Sequence, residues 1–102
     1  MLDRYNAQTF TAVGTVVWEM RQPNEYATKF NIHVVGSGNF SATVLLNNFD
    51  NDTDWSDCTS AFFGIAAITT FGFYSSQNWD LPGRVSFKVG SITQQIKVAQ
   101  GW

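Results

Sequence analysis

Apolar and polar residues alternate with a period of two along much of this chain, and this pattern constrains the fold most. Within residues 27–35, Phe30, Ile32 and Val34 fall on one face of an extended segment, and His33 falls on the other. No long segment repeats apolar residues at the three- and four-residue spacing of a helix. Successive side chains of a strand point to opposite faces, so the pattern predicts strands that each bury one face.

The C-terminal part of the chain has the clearest local pattern. Two alternating runs, Arg84–Val89 and Ile92–Val98, are separated by the dipeptide Gly90-Ser91. A two-residue loop with glycine in first position is typical of the primed turns that join antiparallel strands. The sequence therefore predicts a tight hairpin here, with one apolar and one polar face.

The number and spacing of the predicted strands indicate the fold class. About seven short strands separated by turn residues are typical of sandwiches and small barrels. We therefore predict an all-β fold, a small antiparallel β-sandwich that is Ig-like or jelly-roll-like. The chain has 102 residues, enough for one domain. Residues 1–8 are mostly polar and predict an N-terminal arm, followed by a single sandwich domain over residues 9–102.

Composition and charge narrow the function classes. The six basic residues are scattered and the net charge is −2, so we expect no binding to a nucleic-acid backbone. The acidic balance disfavours anionic membrane surfaces, and no apolar run approaches the length of a membrane span. Aromatic residues make up 16% of the chain and charged residues only 14%. We therefore expect some rings at the surface, where aromatic residues mark interfaces.

Two features of the sequence bear on the cellular compartment in which the chain assembles. The first residues lack the basic and apolar regions of a signal peptide. Cys58 is the only cysteine, so it cannot form a disulfide within the chain. Both observations favour assembly in the cytoplasm.

An acidic turn is the strongest candidate for metal binding. Four of the eight acidic residues lie within residues 50–57 at mostly alternate positions, as in an EF-hand calcium loop. Trp55 stands where that loop needs glycine, and Ala61 stands where it needs a bidentate glutamate. A different calcium site and a solvated turn capped by its own Asx side chains both remain open. We predict no resident metal or cofactor; the candidates to test are Asp50, Asp52 and Asp54.

Residues for catalysis do not form a recognisable set. Cys58 and His33 are a conceivable nucleophile and base, but no third residue is suggested to orient the base. The segment Gly36-Ser37-Gly38 departs from the Gly-x-Ser-x-Gly turn of a nucleophile elbow. We therefore predict that the chain is not an enzyme.

From residue 27 to 98 the features follow a recognisable order. They are the strand Phe30–Val35, the loop Gly36-Ser37-Gly38, the strand Ser41–Leu46, the Asp-rich turn Asp50–Trp55, the strand Phe71–Tyr74 and the strand Gly83–Val89. This order resembles the small β-sandwich proteins of tailed-bacteriophage particles. The resemblance implies a capsid decoration (cement) protein, a head-associated protein or a tail module that resides in the virion after assembly in the host cytoplasm. Its implied partners are other virion proteins, namely the major capsid protein and sister copies in a homo-oligomer.

Three aromatic residues stand at predicted strand ends or in loops, and we predict that they bind a partner: Tyr74, Trp79 and Trp102. Such rings dock on a neighbouring protein, stack on sugars as in carbohydrate-binding modules, or cap the end of the sandwich. The first interpretation predicts a non-enzymatic structural component of a phage particle. The alternative is a carbohydrate- or receptor-binding module of a tail fibre.

Overall fold

The computed structural model describes residues 6–14, 18–20, 30–76 and 84–101, and these residues form eight strands and one short helix. The strands are β1 (Asn6–Phe10), β2 (Trp18–Met20), β3 (Asn31–Gly36), β4 (Phe40–Asn47), β5 (Ser56–Asp57), β6 (Gly72–Ser75), β7 (Arg84–Ile92) and β8 (Ile96–Gly101). The helix, α1 (Thr59–Phe63), lies between β5 and β6.

The strands form two four-stranded sheets. Sheet A has the order β1-β8-β3-β6, and sheet B has the order β2-β7-β4-β5. Every described strand pair is antiparallel. Consecutive strands of the chain lie in different sheets, except β4 and β5, which pair within sheet B. This is the arrangement of an eight-stranded jelly roll. The predicted all-β sandwich is confirmed, in its jelly-roll-like rather than its Ig-like form.

The prediction of a hairpin at Gly90-Ser91 is wrong. Both residues belong to β7, which continues to Ile92, and β8 begins only at Ile96 in the other sheet. Ser41 pairs with Ser91 whereas the next residue of β4 pairs with Val89, so Gly90 is the extra residue of a β-bulge. A glycine between two alternating runs has the same local signature in a bulge as in a turn.

Two corner segments carry the chain from one sheet to the other. Residues 37–39 join β3 to β4, and residues 93–95 join β7 to β8. The loop predicted at Gly36-Ser37-Gly38 thus connects strands of different sheets. The two corners are hydrogen-bonded side by side: Ser37 N donates to Gln95 O at 3.1 Å, and Thr93 N donates to Asn39 O at 3.0 Å. Gly36 has φ +152°, and a Cβ there would collide with the Gln95 carbonyl. The paired corners therefore hold the two sheets together at this end.

The core lies between the two sheets, as the alternation predicted. Phe30, Ile32 and Val34 are buried and His33 is exposed. Their facing partners come from both sheets and from the segment around α1. The core residues are Phe30, Ile32, Val34, Phe40, Ala42, Val44, Phe62, Ile68, Val85, Phe87, Val89, Ile96 and Val98.

The N-terminal boundary differs from the prediction. Residues 6–8, expected to belong to an arm, lie in β1, where Asn6 is opposite Gln100 and Gln8 is opposite Val98. These residues add a fourth strand to sheet A through backbone pairing, which does not require β-branched side chains. Residues 1–5 of the predicted arm lie outside the described residues.

Candidate functional site

Of the three aromatic residues predicted to bind a partner, the structure describes one. Tyr74 on β6 is half-buried, and its ring meets Phe63 edge-on with the centroids 6.1 Å apart. Its hydroxyl donates to Thr70 O at 2.5 Å and lies 2.7 Å from Thr70 Oγ1. These contacts correspond to the third interpretation, a ring that caps the sandwich. Trp79 and Trp102 lie outside the described residues.

The residue before Tyr74 presents the exposed ring instead. Phe73 points to the opposite face of β6, and 72% of its surface is exposed. It stacks on His33 of β3, with ring centroids 4.2 Å apart and planes at 16°. Val35, two residues along β3 from His33, is also exposed. Phe71 is 40% exposed, but its ring packs on the buried Phe40 with the centroids 5.0 Å apart. We call the three residues His33, Val35 and Phe73 the β6 patch.

The β6 patch lies at an edge of the sandwich. β6 is the last strand of sheet A, and no described residue pairs with its far side. Gly72, between the two exposed phenylalanines, has open space where a Cβ would stand. An accessible edge strand with apolar side chains is a common place for another chain to add.

A different surface forms around the acidic turn, which is organised by Asn51. Its Oδ1 accepts hydrogen bonds from the backbone N–H groups of Thr53 and Asp54, each at 3.0 Å. Its Nδ2 donates to Asp54 Oδ2 at 2.6 Å, and its carbonyl oxygen accepts a bond from Asn47 Nδ2 at 2.8 Å. The turn is therefore capped by its own Asx side chains, as one of the two predicted alternatives required.

Arg84 of β7 ties this turn to sheet B. Its guanidinium donates to Asp52 Oδ1 at 2.7 Å, to Asn51 O at 2.7 Å and to the Glu19 carboxylate. It also lies over the Trp55 ring, 5.1 Å from the ring centroid. The hydrogen bonds to Asp52 and then to Glu19 raise the pKa of Arg84. The Arg84 side chain therefore stays positively charged and links the turn to β7.

The acidic residues of the turn do not converge on a common point. The carboxylate of Asp52 faces Arg84, and that of Asp54 faces Asn51. In the part of the chain that the structure describes, no three His, Cys, Asp or Glu side chains are grouped to hold a metal ion. The structure therefore does not bring Asp50, Asp52 and Asp54 together as a calcium site.

Between the turn and the outer face of sheet B runs an open groove of about 550 Å³, which we call the β5 groove. Its floor is formed by β4 and β7, and the turn and β5 form its wall. The lining residues are Thr43, Leu45 and Lys88 in the floor, and Asp52, Thr53, Trp55 and Asp57 in the wall. Only the sandwich topology brings these three separate stretches of sequence together.

The suggested Cys58–His33 pair is not assembled. His33 is exposed on sheet A against Phe73, whereas Cys58 precedes α1 and donates its backbone N–H to Val44 O of sheet B at 2.8 Å. Burial and then the nearby charge of Asp57 raise the pKa of the Cys58 thiol. A raised pKa lowers the thiolate fraction, which is opposite to the activation that a catalytic cysteine needs.

No family model, curated protein or solved structure matches this chain. Among the helices of the described residues, none has the length and apolar character needed to span a membrane. The candidate sites therefore rest on the geometry of the β6 patch and the β5 groove.

Proposed function

We propose that this chain is a non-enzymatic structural component of a bacteriophage particle, either a capsid decoration protein or a head-associated protein. It docks on the shell through the β6 patch and the adjoining strand edge. The proposal is consistent with the fold, because the two-sheet jelly roll is widely used in viral capsid proteins. The resemblance in the order of strands and turns supports the same class.

The exposure of Phe73 is the observation that carries this proposal. A phenylalanine ring that is 72% exposed in the free chain still has most of its apolar surface to bury against a partner. Full burial of such a ring stabilises a complex by about 1.5–3 kcal/mol. Stacking on His33 holds the ring in place, so little side-chain freedom is lost on binding.

Two further features favour binding to a particle over binding to a single molecule. No described residue pairs with the far side of β6, so this edge offers backbone groups for strand addition by a neighbouring chain. A shell displays many identical sites, so contacts between sister copies would multiply a modest individual affinity. The proposed partners are therefore the major capsid protein and further copies of this chain.

Co-sedimentation with purified heads of the phage that encodes the chain tests this proposal. We expect saturable binding by the wild type and a loss of about tenfold or more in affinity for Phe73→Ser. The matched control is Phe49→Ser, because Phe49 is 65% exposed but directly precedes the acidic turn, outside the β6 patch. No binding of the wild type to heads, or equal losses in both variants, would contradict the proposal.

A further inference from the structure

We propose that the β5 groove binds a neutral saccharide. This site goes beyond the proposed docking function, since it lies on the outer face of sheet B and the β6 patch lies on the outer face of sheet A. The two outer faces are opposite sides of the sandwich. One copy could therefore hold a shell with one side and a glycan with the other.

Trp55 supplies the apolar platform. Its indole Nε1 donates to Asp52 O at 3.1 Å, and the Arg84 guanidinium lies 5.1 Å from its ring centroid. The ring is half-buried and lines the groove. Because Arg84 covers one face of the ring, a sugar would stack its C–H face on the other, which is flat and apolar. Because Trp55 is already fixed, little conformational freedom is lost when a ligand stacks on it.

The polar side chains around Trp55 match the hydroxyl groups of a sugar. Asp57 Oδ1 accepts bonds from Thr59 N at 2.9 Å and Thr59 Oγ1 at 2.7 Å, which orients the carboxylate. Its other oxygen makes no hydrogen bond to a described residue. Thr43 and Lys88, which are opposite each other on β4 and β7, add a hydroxyl and an ammonium group. The groove thus combines hydrogen-bond donors and acceptors around one ring.

Charge and size select the class of ligand. Asp57 and Lys88 contribute one charge of each sign, and the Asp52 carboxylate is paired with Arg84, which also pairs with Glu19. This nearly balanced set gives no net attraction to an anionic ligand such as a phosphate. The groove volume of about 550 Å³ falls within the usual range of ligand sites, roughly 300–1,000 Å³. A short, uncharged oligosaccharide fits these properties.

Affinity electrophoresis of the full chain tests this proposal, with gels that contain β-glucan, galactomannan, dextran or glycol chitin. Polygalacturonate serves as the anionic comparison. We expect retardation by at least one uncharged polysaccharide and not by polygalacturonate. Oligosaccharides of the retarding polymer then give the affinity by NMR titration, in which the indole N–H signal of Trp55 is expected to shift.

Variants locate the binding in the groove. Trp55→Ala is expected to weaken binding by about tenfold or more. Thr43→Val, which keeps the shape of a strand side chain, is expected to weaken it by roughly three- to tenfold through the lost hydrogen bond. Phe73→Ser, on the opposite side, is the control and should bind like the wild type.

Three outcomes would overturn the proposal. The first is that no uncharged polysaccharide retards the chain. The second is that Thr43→Val and a folded Trp55→Ala both keep wild-type affinity; if Trp55→Ala fails to fold, Thr43→Val decides. The third is that Phe73→Ser loses saccharide binding as much as the groove variants do. Binding to phage heads is measured separately, so failure of either proposal leaves the other standing.

Discussion

The strands β5 and β6 follow one another in the chain and form edges of the two sheets. The two edges differ in the side chains and loops that surround them. At β5, the acidic turn is fixed by Asn51 and clamped to sheet B by Arg84. At β6, Phe73 and Ser75 face outward, and the ring of Phe73 is exposed. Charges and a covering loop discourage pairing with other chains, whereas an open apolar edge permits it. The β5 edge is therefore covered by contacts within the chain, whereas the β6 edge leaves an aromatic ring exposed, as the proposed docking requires.

Thr59→Val is expected to have the largest effect, because it removes the buried support of the β5 edge. Thr59 is fully buried, and its Oγ1 accepts a hydrogen bond from Val44 N at 2.8 Å and donates to Asp57 Oδ1 at 2.7 Å. Valine has nearly the same shape but leaves the Val44 N–H without a partner. We expect a loss of about 2 kcal/mol in the free energy of unfolding, measured by urea denaturation.

The control for this variant is Thr43→Val, since Thr43 is a half-buried threonine on the outward side of β4. Its stability should stay within about 0.5 kcal/mol of the wild type. Equal destabilisation of the two variants would mean that the Thr59 hydroxyl has no special place at the β5 edge.

Asn51→Ala is expected to have an intermediate effect, because it removes the centre of the acidic turn. The backbone N–H groups of Thr53 and Asp54 lose their shared acceptor, but solvent can replace it because the turn is exposed. We expect a loss of about 1 kcal/mol, similar to the loss of a helix cap. Urea denaturation beside Asn48→Ala, an exposed neighbour, checks this. A cost no greater than that of Asn48→Ala would show that Asn51 does not organise the turn.

The interior of the fold could be predicted from the sequence, but the connections between strands could not. Period-two alternation identified Phe30, Ile32 and Val34 as core residues, because facing alternates along any strand. The same alternation surrounds Gly90, yet this glycine forms a bulge. The strand that pairs with it begins at Phe40, far away in the sequence. A local sequence pattern therefore gives no information about this pairing. Turns and bulges can be distinguished only by long-range contacts.

The candidate sites show the same limit. Alternation places Phe73 and Tyr74 on opposite faces but does not say which face is inside. Its place at a predicted strand end favours Tyr74 as the partner-binding residue, but in the structure its hydroxyl bonds to Thr70, and Phe73 is the exposed ring. The β5 groove depends on the pairing of Thr43 with Lys88 and on the fold of the turn over both. Such a site appears only once the topology is known.

Phe73→Ser is expected to have the smallest effect on stability and is therefore the sharpest test of the contrast between the edges. The ring is 72% exposed and its described ring contact is His33, which is itself exposed. Replacing it should change the free energy of unfolding by no more than about 0.5 kcal/mol, again measured by urea denaturation. A small change would mean that the exposed ring is not needed for stability, as expected of a ring that binds a partner. If Phe73→Ser instead destabilises the chain as much as Thr59→Val does, Phe73 is a structural residue. The β6 edge would then contribute to the stability of the fold just as the β5 edge does.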